Sequence, residues 1–161
     1  MSWSTNSNAR TPGAWIWLFP LSQCVHVAEE YWDGYGFHRW LSDVTHTPFS
    51  PHHVLVMHLG FVVAMAAATL LAVRLPVWGW VVPGLSVLVL VNALTHVCVR
   101  LVSASSSSGM VSSVVLWIPL GVVGLTWSWR ALGRFQFWGG VLAGVLTQVP
   151  VSWIALRGGR F

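Results

Sequence analysis

The sequence predicts an all-α fold, a polytopic membrane helix bundle with about five transmembrane helices, on three observations. Hydrophobic residues fill 55% of the 161 positions and charged residues only 7%, where a soluble domain carries roughly a quarter charged residues to coat its surface. Apolar runs of about 20 residues recur along the chain, each close to the length that crosses a bilayer's hydrocarbon. The basic residues are all arginines and stand mostly at the ends of those runs, where headgroups anchor them.

Charge also excludes a partner class. The net charge of +4 is spread over helix ends rather than gathered on one face, which suits a bilayer and not nucleic acid. Twelve tryptophans are present, and Trp78, Trp80, Trp127 and Trp129 stand where an interfacial aromatic belt belongs. Cys24 and Cys98 lie within apolar spans and off the polar faces, so they read as small packing residues.

Residues 1–12 are polar and turn-rich, a tail with no apolar stretch ending in a small-residue cleavage site, so no removable signal peptide is expected. The first span is placed at about residues 13 to 32. Pro20 interrupts it and is expected to free the Ile16 carbonyl and kink the helix. Residues 33–51 hold Gly, Pro, both aspartates and several aromatics, a connecting loop with a short interfacial helix. Its histidines, His38, His46, His52 and His53, lack a helical metal spacing and read as solvated or interfacial.

The second span runs from about His53 to Val73 and stops at Arg74. His58 lies inside it, at a depth where an imidazole needs a partner. The third span, about residues 77 to 102, carries Asn92 and His96 four apart on one face, with Arg100 a further turn along. A serine-rich linker follows. Spans at about 110 to 130 and 136 to 156 contain Pro119 and Pro150 and no central ionisable residue, so they read as scaffold and cavity wall. No repeat appears, and the whole chain, residues 1–161, reads as one integral membrane domain. Alternating spans put Arg10, Arg74, Arg130 and Arg134 on one side and Arg39, Arg100, Arg157 and Arg160 on the other, a balance from which the positive-inside rule assigns no orientation.

The chemistry is concentrated in His26-Val27-Ala28-Glu29-Glu30. At 100° per residue, His26, Glu29 and Glu30 project at roughly 0°, 300° and 40°, with Gln23 near 60°, all toward one side of the helix. A carboxylate in hydrocarbon shifts its pKa, pairs or binds a metal, and two neighbouring ones repel. Partners are therefore expected from His58, Asn92, His96 and Arg100.

These residues resemble a known family. His26-Val27-Ala28-Glu29-Glu30 closing the first span, Asn92-Ala93-Leu94-Thr95-His96 on the third, a glycine-containing turn, and Trp117-Ile118-Pro119-Leu120 on the fourth are similar to the HXXEE-motif membrane proteins, over about Trp15 to Leu120. That family has a Tyr-x-Pro-Gly-like turn after the third span, and here Ser108-Gly109 stands instead, so no role of that proline is transferred. The family is named for its motif and implies no general activity. The resemblance supports the choice of site.

Four functions follow. In the first, an intramembrane enzyme acts on a lipid or lipophilic small molecule, with His26, Glu30, His58 and His96 holding a divalent metal, zinc or iron, for hydrolysis or oxidative chemistry. The unused glutamate is then a general base and Asn92 an orienting or oxyanion-binding group. In the second, no metal is needed: one glutamate is a general acid, the other pairs with Arg100 or His96, and the enzyme isomerises or cyclises an isoprenoid-like substrate. A third is proton or metal-ion transport, opposed by the confinement of the polar residues to one end. The fourth is a structural polar network. Interhelical hydrogen bonds in membranes are worth about 0.6 kcal/mol on average while a central charge costs about 2.5–3.5 kcal/mol, so glue alone favours Ser or Asn. The balance leads to an enzyme using Glu29, Glu30, His26, Asn92 and His96, with Gln23 and Arg100 beside them. The expected location is the bacterial cytoplasmic membrane.

Overall fold

The computed structural model describes residues 11–32, 36–46, 48–103 and 109–157. Expectations for the polar tail through Arg10, for Asp33, for the serine linker through Ser108 and for Arg160 lie outside the described residues. The described chain is a helical bundle, and no strand occurs in it. A 3-10 turn, Ala14–Trp17, leads into α1 (Leu18–Trp32). Then come α2 (Phe37–Thr45), α3 (Pro51–Arg74), a 3-10 turn at Pro76–Trp78 and α4 (Val81–Ser103). A single helical segment, Met110–Ala131, is built from α5 (Met110–Ser112), a π turn (Ser113–Trp117) and α6 (Ile118–Ala131). The last helix is α7 (Arg134–Arg157).

Among the described residues, three segments are long and apolar enough to cross a membrane: Pro51–Arg74, Pro76–Cys98 and Met110–Ala131. Their outward faces are apolar, as hydrocarbon requires: Leu55, Val56, Leu59 and Val63 on α3, and Val122 and Val123 on α6, are exposed. Arginines stand in the last turns of α3, α4 and α6. Exposed Trp129, Phe135 and Trp138 surround the α6–α7 turn, an aromatic cluster at the polar boundary.

The helix changes from 3-10 to α between Trp17 and Leu18, so Pro20 falls in the first turn of α1, a position where a missing N–H is tolerated. The interfacial connection does contain a helix, α2. Phe37, Trp40 and Leu41 form its apolar side and pack with Phe49 and Val54 in a satellite core. Ser50 caps α3, its Oγ accepting the His53 N–H at 3.2 Å, and Pro51 opens the helix. Tyr31 Oη donates to the Pro51 carbonyl at 2.9 Å, tying the end of α1 to the start of α3.

Helix α4 is the axis of the bundle. It packs most extensively against α6 and α7, while α1 packs mainly against α3. Small residues make the close crossings. A Cβ on Gly140 or Gly144 of α7 would run into the α4 backbone at Trp80 and Gly84, and one on Gly121 would meet Leu90. Such contacts replace the hydrophobic drive that helices lack in lipid. Cys24 and Cys98 are free and exposed, so no bridge joins them.

Gly140→Ala is therefore expected to lower thermal stability in detergent by the equivalent of about 1–3 kcal/mol through overpacking. Gly139→Ala, whose Cβ would meet nothing within 4 Å, should be neutral or slightly stabilising. Equal effects of the two substitutions in thermal unfolding would contradict this account of the crossing.

Candidate functional site

The HVAEE stretch occupies the last two turns of α1, and the fold turns one side of it inward. Glu30 is 1% exposed and His26 equally so. His26 Nε2 lies 3.2 Å from Glu30 Oε1, the i to i+4 approach expected on a helix. His58 of α3 brings Nε2 to 3.4 Å from the other carboxyl oxygen, Oε2. His96 of α4 places Nε2 3.9 Å from Oε1 and is itself buried. One carboxyl group is thus surrounded by imidazoles from three helices. His58 is seven residues from the start of α3 and His96 seven from the end of α4, so both lie about 10 Å inside their helix ends.

Aromatic rings complete the enclosure. Trp117 is fully buried and stacks on His26 with centroids 3.7 Å apart. Trp40 lies nearly parallel to His96 at 6.3 Å, and Phe37 faces His58 at 5.3 Å, so α2 covers the polar end of the cluster. The indole nitrogens of Trp40 and Trp117 and His58 Nδ1 are buried without a hydrogen-bond partner among the described residues.

Glu29 takes a different place. Its carboxylate accepts from the backbone N–H groups of Val111 at 2.9 Å and Ser112 at 2.7 Å, capping the segment that begins at Met110. Free N–H groups at a helix start attract an anion, so the two adjacent glutamates are separated instead of sharing one charge-repelling site. Ser112 Oγ in turn lies 2.8 Å from His26 Nδ1. This docking needs glycine at 109: its φ is +85°, and a Cβ there would press within 2.5 Å of His26 Cε1 and 3.1 Å of Glu30 Cγ. Just beyond, the π turn at Ser113–Trp117 precedes Pro119, whose missing N–H it accommodates, and it presents Trp117 to the site.

Of the residues expected at the site, the structure brings His26, Glu30, His58 and His96 together. Their metal-binding potential is concentrated in His26, Glu30 and His96, whose ligand atoms lie within 4.8 Å of one another; His58 approaches from the opposite carboxyl oxygen. Asn92 is half-buried on α4, one turn from His96, and makes no side-chain hydrogen bond among the described residues. Gln23 is buried one turn ahead of His26. Arg100 is exposed on the last turn of α4. His46, His52 and His53 are exposed and His38 half-buried, and none of them joins the cluster.

The fourth span is more than scaffold, since it supplies Ser112 and Trp117. Its lack of ionisable side chains concealed this, because a hydroxyl and an indole carry no charge to mark them; Gly109 after a serine run, eight residues before Trp117-Ile118-Pro119, was the available signal. A groove of about 380 Å³ lies beyond the cluster between α3, α4 and α7, with Phe61, Met65, Leu88 and Trp78 among its walls.

The fold and site together define a helical membrane-type protein with an enclosed His/Glu cluster. The chain belongs to the family described as proteins of unknown function with an HXXEE motif, which it matches over residues 17–124. His26, Glu29 and Glu30 are the motif's named positions. Neither a search of curated proteins nor one of solved structures found a match.

Two substitutions separate the roles of the paired glutamates. Glu29→Ala should cost about 1–2 kcal/mol as a lost helix cap and raise amide hydrogen exchange at Val111 and Ser112. Glu30→Gln should leave those two amides protected. The opposite pattern of protection would remove Glu29 from the capping role.

Proposed function

We propose that the protein is an intramembrane enzyme acting on a lipophilic small molecule at a divalent metal ion, zinc or iron, held by His26, Glu30 and His96. One observation carries this reading: the ligand atoms of His26, Glu30 and His96 lie within 4.8 Å of one another inside a buried enclosure. Ser112 Oγ lies 2.8 Å from His26 Nδ1 and 3.2 Å from the Gly109 carbonyl, so with its proton on that carbonyl it accepts from His26 Nδ1–H. His26 then presents the lone pair of Nε2 to Glu30 Oε1 only 3.2 Å away. Two acceptors at that distance in a dry, apolar enclosure need a proton or a metal cation between them. His96 Nε2, 3.9 Å from the same oxygen, would complete a nitrogen and oxygen donor set of the kind such metals accept, which favours the metal.

In this arrangement a bound metal supplies Lewis acidity for hydrolysis or oxidative chemistry. The chain's own residues do the rest. Ser112 fixes the His26 tautomer, as partners of ligating histidines commonly do. His58, beside Glu30 Oε2, is placed to take or return a proton. Asn92 offers an amide to a substrate oxygen, and the Trp117 and Trp40 rings exclude water. Glu29 is a positioning residue, acting through the helix start it caps.

A second reading rests on the same gap between His26 and Glu30, which a proton also fills. Glu30 is then the general acid or base of a metal-free isomerase or cyclase, with indole faces beside a developing cation. Transport draws less support. From the cluster toward the Trp78 end, the buried polar side chains among the described residues are Ser22, Gln23, Thr69, Ser86 and Ser128, which offer a relay no titratable step.

Elemental analysis of the purified protein tests the reading. About one zinc or iron per chain is expected, lost in His96→Ala and retained in Cys24→Ala, and Ser112→Ala should weaken metal affinity about 10–100-fold. Metal-free protein whose activity on a lipid extract depends on Glu30 would establish the second reading instead.

A further inference from the structure

The apolar groove and the cluster lie along the same two helices, α3 and α4. On α3, His58, Phe61 and Met65 stand at i, i+3 and i+7, and on α4, Leu85, Leu88, Asn92 and His96 continue one stripe at helical spacing. Phe61 and Met65 line the groove, as do Leu85 and Leu88, and the next residues along each stripe are the polar ones. Asn92 is thus the step between them, about 6 Å along the axis from Leu88 and from His96. The far end is bounded by Trp78 and Trp80, which stack on each other at 5.4 Å.

The groove's shape and lining indicate what fits. A volume of about 380 Å³ spread over a helical rise of about 15 Å from Phe61 to Leu71 makes an elongated trough that accommodates an extended hydrocarbon chain. The hydroxyl of Thr147, on its wall, is taken up by the Ala143 carbonyl of its own helix. The walls therefore suit an apolar chain.

We propose that the groove is the tail-binding part of the site and that the substrate is a single-chain amphiphile, its polar head at Asn92 and the His26/Glu30/His96 cluster and its chain running toward Trp78 and Trp80. This identifies the substrate class and rests on the enzyme reading above. The Trp pair acts as the end stop of a chain-length ruler.

Photo-cross-linking in phospholipid nanodiscs tests it, with a linear fatty alcohol carrying a diazirine near its chain terminus as the probe. Adducts are expected to concentrate on Leu71, Trp78 and Leu85 and to fall roughly tenfold in Ala67→Phe. Ala67 and Ala64 both line the groove and are exposed, so a phenylalanine there fills the groove without displacing the core. Ala64→Phe is the second variant should the first fold poorly. Adducts spread equally over the lipid-facing Leu59, Val63 and Leu94, or groove labelling unchanged in both variants, would overturn the assignment and identify ordinary bilayer contact. Metal content separates this proposal from the previous one. Groove labelling in a protein without metal sinks only the metal, whereas a metal-loaded protein whose groove stays unlabelled sinks only the tail site.

Discussion

A carboxyl group buried inside an apolar helix bundle is the constraint on which the rest of this structure depends. Inserting such a group costs about 2.5–3.5 kcal/mol, and an average interhelical hydrogen bond returns about 0.6 kcal/mol. Glu30 is accordingly met by imidazoles from α1, α3 and α4, at 3.2, 3.4 and 3.9 Å. No one helix could furnish that shell, because side chains near enough to Glu30 on α1 are limited to one turn. The bundle is organised so that two further helices deliver a histidine to the same point, and the aromatic residues of α2 and of the π turn exclude water around it. The arrangement exceeds what helix adhesion needs, and that excess is what motivates the enzyme proposal.

The neighbouring acid shows how the chain prevents this burial from failing. Two adjacent carboxylates inside one enclosure would repel, yet consecutive helical side chains diverge by about 100°. The fold uses that divergence: Glu30 points into the cluster and Glu29 reaches the free N–H groups of Val111 and Ser112. The second contact places Ser112 against His26 and brings Trp117 beneath it. A charge that sequence placed beside the site is converted into the bond that positions part of the site.

The helix architecture and the convergence of the His/Glu cluster were legible in the sequence, and for the same reason. An apolar chain with few charges has a small choice of folds in lipid, and the ionisable residues that interrupt it stand out. His26, Glu30, His58 and His96 were found by that contrast, and three of the expected spans correspond to segments long and apolar enough to cross a membrane. Angular reasoning on a single helix could not divide Glu29 from Glu30, because the cap that separates them is supplied by a segment some 80 residues away in the chain. The change of helix type at Leu18, just ahead of Pro20, is a local event without a composition signal. Ser112 and Trp117 were overlooked because neither is charged and the π turn that aims the indole has no sequence signature of its own.

The packing gives the cluster a second consequence. Helices α4, α6 and α7 meet at glycine crossings where backbones nearly touch, while α1 and α3 pack chiefly against each other. His96 belongs to the first group, and His26, Glu30 and His58 to the second. The cluster therefore fastens one group to the other, and the groove opens where α3 and α7 part. Any cation that bridges His26, Glu30 and His96 adds its binding free energy to the association of the two groups, since the donor atoms come together only when the groups do. Occupancy of such a site and stability of the bundle would then be linked quantities.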